Sequence, residues 1–161
     1  MADLLLNGEY AGTFKGVLFD KDGTLSNSEK HLKFLAKRRF SETYKLLESQ
    51  GETSHFLRRL EGLLPKAYGV LGEELDPNGT IAIASREHNL ITTATVLYLL
   101  GKTWPESLQI STKVFQLIET DEQKNFSVPD KRPLLHGVRR TLKALQAARV
   151  PCALISNDSK E

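Results

Sequence analysis

Two aspartates separated by a single residue, Asp20 and Asp22, end an apolar run in the stretch "KGVLFDKDGTLSNSE", residues 15–29. Side chains two positions apart near the end of a strand project to the same side. Carboxylates held that close repel each other, and either a shared divalent cation or a shared proton relieves the repulsion. Mg²⁺ suits the first solution, because it takes oxygen ligands and keeps several waters. The second offers a division of labour, with one ionised carboxylate as nucleophile and one protonated carboxyl as acid. Gly23 then lets the backbone turn tightly, and Thr24 brings a hydroxyl that can fix the turn. A second polar cluster, Ser156-Asn157-Asp158, follows the apolar run of "VPCALIS". One hydroxyl and a run of backbone N–H groups are suitable equipment for a phosphate oxygen.

These residues need elements that present them. "GVLF", residues 16–19, reads as a strand buried on both faces, and "VPCALIS" as a second one. The leading "LLLNGEYAGTF" adds a short edge strand turning at Asn7-Gly8. Ser26 and Glu29 have capping-box spacing for a helix over about Ser28 to Glu48, with Leu32, Leu35, Tyr44 and Leu47 on one stripe and Gly51 as the stop. A second helix covers Thr53 to about Tyr68, with Pro65 ending or kinking it early. Pro77-Asn78-Gly79 marks a turn. Ser85 caps a helix reaching Leu100, and Pro105 lies in the first turn of one running from Trp104 to about Glu119. A polar, proline-bearing linker and a helix over about Leu135–Arg149 lead into the last strand.

Strand, helices, helix, strand in that order implies a parallel crossover pair with a helical layer inserted into it. Ligands of open parallel sheets bind beyond the carboxyl ends of the strands, and both polar clusters fall there. The segments at residues 26–28 and near 127–133 are the expected hinges of the insertion.

Composition bounds the reading. The chain has 161 residues, 40% apolar and 26% charged, enough for one ordinary globular domain or a small one split by an insertion. A net charge of +2 argues against a protein built around nucleic acid. The one cysteine, Cys152, sits in an apolar run and is expected to be a buried structural thiol. "MADLLLNGEY" lacks the basic leader of a signal peptide, and no apolar run approaches the ~20 residues of a membrane span, so a cytoplasmic, membrane-free setting is expected. Lys37-Arg38-Arg39, Arg58-Arg59 and Arg139-Arg140 read as solvated helix faces. Arg86 is the helical-layer cation expected to reach a substrate anion. His31, His55, His88 and His136 show no ligand spacing, and Trp104 reads as a packing anchor.

"DKDGT" followed much later by "LISN" resembles the haloacid-dehalogenase-like superfamily of phosphohydrolases, over residues 14–27 and about 132–161. The resemblance implies an α/β fold: a partial Rossmann-like core, residues 1–27 and 131–161, with an inserted α-helical cap, residues 28–130. It implies that Asp20 attacks phosphorus and becomes an aspartyl phosphate, while Asp22 protonates the leaving oxygen and then deprotonates the hydrolytic water. Mg²⁺ would be held by the Asp20 carboxylate and at Asp22 through its backbone carbonyl, and Ser156 with the Asn157 amide would hold a phosphate oxygen. The implied substrate is a small phosphorylated metabolite. Cation pumps resemble "DKTGT" here and true dehalogenases also lack the second carboxylate, so a soluble phosphatase or phosphotransferase fits best. A phosphomutase using the same aspartates, or a non-catalytic interaction module, stays open.

The family's third motif, a lysine, and its fourth, an acidic pair, come well after the second. Lys160 stands too close to Ser156 to be that lysine, and Glu161 is not assigned as the missing metal ligand. The sequence is therefore expected to be a fragment of a longer hydrolase or a shortened product, binding Mg²⁺ and phosphate poorly. No measurable hydrolysis of an aryl phosphate is expected of it alone.

Overall fold

Asn7 and Gly8 both take positive φ, 52° and 88°, the backbone of a two-residue turn matched to strand twist. They reverse the chain between β1 (Ala2–Leu6) and β2 (Glu9–Phe14). There follow β3 (Val17–Asp20), α1 (Glu29–Ser49), α2 (Ser54–Tyr68), β4 (Val70–Leu71), β5 (Glu74–Leu75), α3 (Thr80–Ile83), α4 (Arg86–Leu99), α5 (Trp104–Lys124), α6 (Val138–Ala147) and β6 (Cys152–Ile155). The computed structural model describes residues 2–124 and 133–155. The chain divides into two compact units, one of Met1–Ser28 with Arg132–Glu161 and one of Glu29–Lys131.

In the first unit β3 pairs with β6 in parallel, from Val17 opposite Cys152 to Asp20 opposite Ile155. The connection between them includes α6, which is what a parallel pair requires. Val138 of α6 and Val150 before β6 are buried. The strands themselves depart from the expected burial on both faces: Leu18 is 68% exposed, Leu154 54% and Ile155 56%. A two-stranded pair among the described residues gives each strand one neighbour and leaves most of its side chains in water. Cys152 is exposed for the same reason, not the buried thiol its apolar surroundings suggested. The segment expected as an edge strand of this sheet pairs within itself: β1 and β2 form a separate antiparallel hairpin with a register shift between Leu4 and Leu5.

In the second unit α1 packs on α2 and α5, and α4 packs on the same two helices. Leu47, Leu60, Leu64, Tyr68 and Leu97 are wholly buried where they meet, with Leu32, Leu35 and Tyr44 packed against them. The Thr53 side chain caps α2 by accepting from the Phe56 N–H, and Ser85 caps α4 by accepting from His88. Pro65 does not end α2; the helix runs on to Tyr68 and closes at Gly69 in the left-handed conformation, φ 87°. The "IAIA" run lies in the short α3. Trp104 is partly exposed and meets the Tyr98 ring edge-on, 6.2 Å between centroids. Among the described residues no helix is long and apolar enough to cross a membrane.

One basic residue departs from the solvated face expected of its run. Arg39 is 7% exposed, and its guanidinium lies 4.3 Å from the centroid of the Phe115 ring. A weakly hydrated planar cation can be buried against an aromatic face in a way an ammonium cannot.

Candidate active site

β3 ends at Asp20, and the chain then closes a small loop on itself. The Lys21 carbonyl accepts from the N–H groups of both Leu25, at 2.9 Å, and Ser26, at 3.0 Å. The Gly23 N–H donates to the Ser26 carbonyl at 2.9 Å. Gly23 has φ 80°, a conformation that a side chain would strain, and this is what lets the loop return. The closed loop carries Asp20, Asp22 and Thr24 on backbone that is hydrogen-bonded at both ends.

Each carboxylate has a hydroxyl partner. Thr24 Oγ1 donates to Asp20 Oδ2 at 3.1 Å. Ser26 Oγ lies 3.4 Å from Asp22 Oδ1 and 3.3 Å from the Lys21 carbonyl. The Lys21 ammonium is 3.4 Å from Asp22 Oδ2. Ser26 was expected to cap the first helix; α1 instead begins at Glu29, and the hydroxyl turns to the aspartate loop. The loop is braced from the far end of the sequence: Leu135 N–H donates to the Leu25 carbonyl, Asn27 N–H donates to the Pro133 carbonyl, and Ser26 bridges to Leu134. The first expected hinge is thus hydrogen-bonded as far as Asn27, while residues 127–132 of the second lie outside the described residues.

Register brings the carboxyl ends of β3 and β6 side by side. Asp20 is paired with Ile155, the last described residue of β6. Ser156 and Asn157, the expected phosphate-binding pair, lie outside the described residues. Arg86, expected to reach a substrate anion, forms an ion pair with Glu119 and stands 5.6 Å from the Phe115 ring centroid. Among the described residues no three His, Cys, Asp or Glu side chains converge as a metal cluster. Asp20 offers a carboxylate oxygen and Asp22 a backbone carbonyl, hard oxygen donors that together with water and phosphate make a set that Mg²⁺ accepts.

Ser26 lies beside the aspartates and not at a helix cap, and Arg39 is buried and not on a solvated face. Arg39 carried a readable signal: it falls at helical spacing with Ala36, Thr43 and Leu47, all buried.

A family model described as haloacid dehalogenase-like hydrolase matches residues 14–161. The chain belongs to this hydrolase family, and the match takes in both the Asp20 loop and the end of β6. No curated protein and no solved structure matches the chain significantly.

Proposed function

We propose that Asp20 and Asp22 carry out phosphoryl transfer from a small phosphate monoester to water. One observation carries the reading: Asp20 is the last residue of a parallel strand, in register with Ile155, with one carboxylate oxygen held by Thr24. In this reading an Asp20 oxygen attacks phosphorus, the P–O bond to the alcohol breaks, and Asp22 gives the departing oxygen its proton. Asp22, now a carboxylate, takes a proton from water as that water attacks the aspartyl phosphate. Phosphate leaves and Asp20 is restored. Ser156 and the Asn157 N–H would hold equatorial phosphate oxygens, and the register of β3 with β6 supports that assignment. Asp20 and Asp22 would hold Mg²⁺, whose part is to neutralise charge on the transferring group.

The unit Glu29–Lys131 serves, in the same reading, as a cap that excludes water and selects the alcohol portion of the substrate. Little turnover is expected of this chain, so the test is stoichiometric. Protein at high concentration is incubated with Mg²⁺ and an aryl phosphate, quenched in acid, digested and weighed. A phosphoryl mass on the peptide containing Asp20, removed by hydroxylamine and absent from Asp20→Asn, is the expected result. An unlabelled wild-type peptide, or equal label in Asp20→Asn, would contradict the reading.

A further inference from the structure

We propose that the exposed face of α5 is the surface on which two copies of this chain pair, the two helices lying antiparallel and crossing at Leu117. The proposal is independent of the phosphoryl-transfer reading. Lys113, Leu117 and Asp121 follow one another at steps of four along α5, so they share one stripe of the helix. That stripe faces away from the interior of the second unit. Val114, Phe115 and Ile118 form a buried cluster there, whereas Lys113 is exposed and Leu117 is 47% exposed. Beside the stripe an open groove of about 460 Å³ lies between α1 and α5, with Leu46, Val114 and Leu117 in its lining.

The argument for a second copy is charge complementarity. Leu117 has a cation four residues before it and a carboxylate four residues after it. When two such helices pack antiparallel about a two-fold axis at Leu117, position 113 of each faces position 121 of the other. Lys113 of either copy then meets Asp121 of its mate, and one arrangement pairs opposite charges twice. Isologous contacts require this self-complementarity. A parallel pairing would set lysine on lysine and aspartate on aspartate, which repulsion opposes. Leu117 meets itself on the axis, beside Leu46 and Val114, and supplies the apolar centre. Both charges can serve. Lys113 makes no ion pair among the described residues. Asp121 gives Oδ2 to Arg38 at 2.9 Å, which steadies the carboxylate, and its side chain remains 44% exposed. A carboxylate accepts from more than one cation.

The test is the mass of the whole chain by sedimentation equilibrium, in a Cys152→Ser background that removes the exposed thiol as a route to a dimer. The chain is expected to show a monomer–dimer equilibrium. Lys113→Glu sets like charges at both contacts and is expected to weaken the dimer about tenfold or more, and Asp121→Lys to do the same. Mixed in equal amounts, the two variants are expected to recover the dimer, because every contact of a mixed pair again joins opposite charges. A second measurement decides the pairing even where Asp121→Lys does not fold. Leu117→Cys places two thiols on the axis and is expected to give a disulfide-linked dimer under mild oxidation; Glu61→Cys, exposed on α2, is expected to give none. A chain that stays monomeric at every concentration, a dimer indifferent to Lys113→Glu, folded variants whose mixture is no heavier than its parts, or equal cross-linking at both cysteines would overturn the proposal.

Discussion

At the scale of single residues, what the sequence discloses depends on how locally a side chain finds its partner. Asp20, Asp22, Gly23 and Thr24 are legible because the carboxylates, the turn and the hydroxyl lie within five consecutive residues. Ser26 was misread because a hydroxyl at that position can cap a helix or face the aspartates, and the choice is made by how the loop closes. Tyr68 shows the same dependence on context. Its ring is wholly buried in the second unit and its hydroxyl meets Thr93 Oγ1 at 2.6 Å. Burial pushes its pKa up to about 12, against smaller opposite pulls from that hydrogen bond and the Arg39 charge. A phenol whose folded pKa lies above its unfolded value of 10.0 favours folding fully below pH 10. Between pH 10 and about 12 the unfolded chain has lost the proton that the folded chain keeps, so stability falls as pH rises through that window. Urea midpoints at pH 8, 10 and 11 should drop more steeply in wild type than in Tyr68→Phe; parallel slopes would show that the phenol does not couple to folding.

At the scale of elements, helices declare themselves and packed turns do not. The cap at Ser85 and the α5 start at Trp104 follow from spacing that a sequence carries openly, whereas Thr53, expected inside the second helix, proves to be its cap. At the head of α5, Glu106 takes hydrogen bonds from the Thr103 hydroxyl and N–H, which lower its pKa. The turn after α2 was legible only as a turn. Its purpose is a backbone approach, in which a Cβ built on Gly79 would lie 2.7 Å from both the Gly69 Cα and the Tyr68 carbonyl. Gly79→Ala is therefore expected to cost about 3 kcal/mol of stability. Gly62→Ala, inside α2 with nothing within 4 Å, should stabilise by about 0.5–1 kcal/mol instead. Chemical denaturation of the two variants checks the contrast, and equal effects would count against the close contact.

Across the whole molecule, the parallel strand pair was legible in the order of elements, because strands and a run of amphipathic helices leave different periodicities. The exposure of β3 and β6 was not legible, since an apolar run predicts burial only when something is there to cover it. Unequal burial should appear as unequal protection. Amides of α4 near Ala94 and Leu97, in the interior of the second unit, are expected to exchange orders of magnitude more slowly than those of β6. Matched rates would mean that the strand pair is better covered than its side chains indicate. The account as a whole turns on Asp20 as the atom donor to phosphorus. Beryllium fluoride with Mg²⁺ forms a stable mimic of an aspartyl phosphate, and fluorine NMR detects it without turnover. Bound fluorine signals that require Mg²⁺, appear in wild type and persist in Asp22→Asn but vanish in Asp20→Asn are the predicted result; bound signals that survive Asp20→Asn would contradict it.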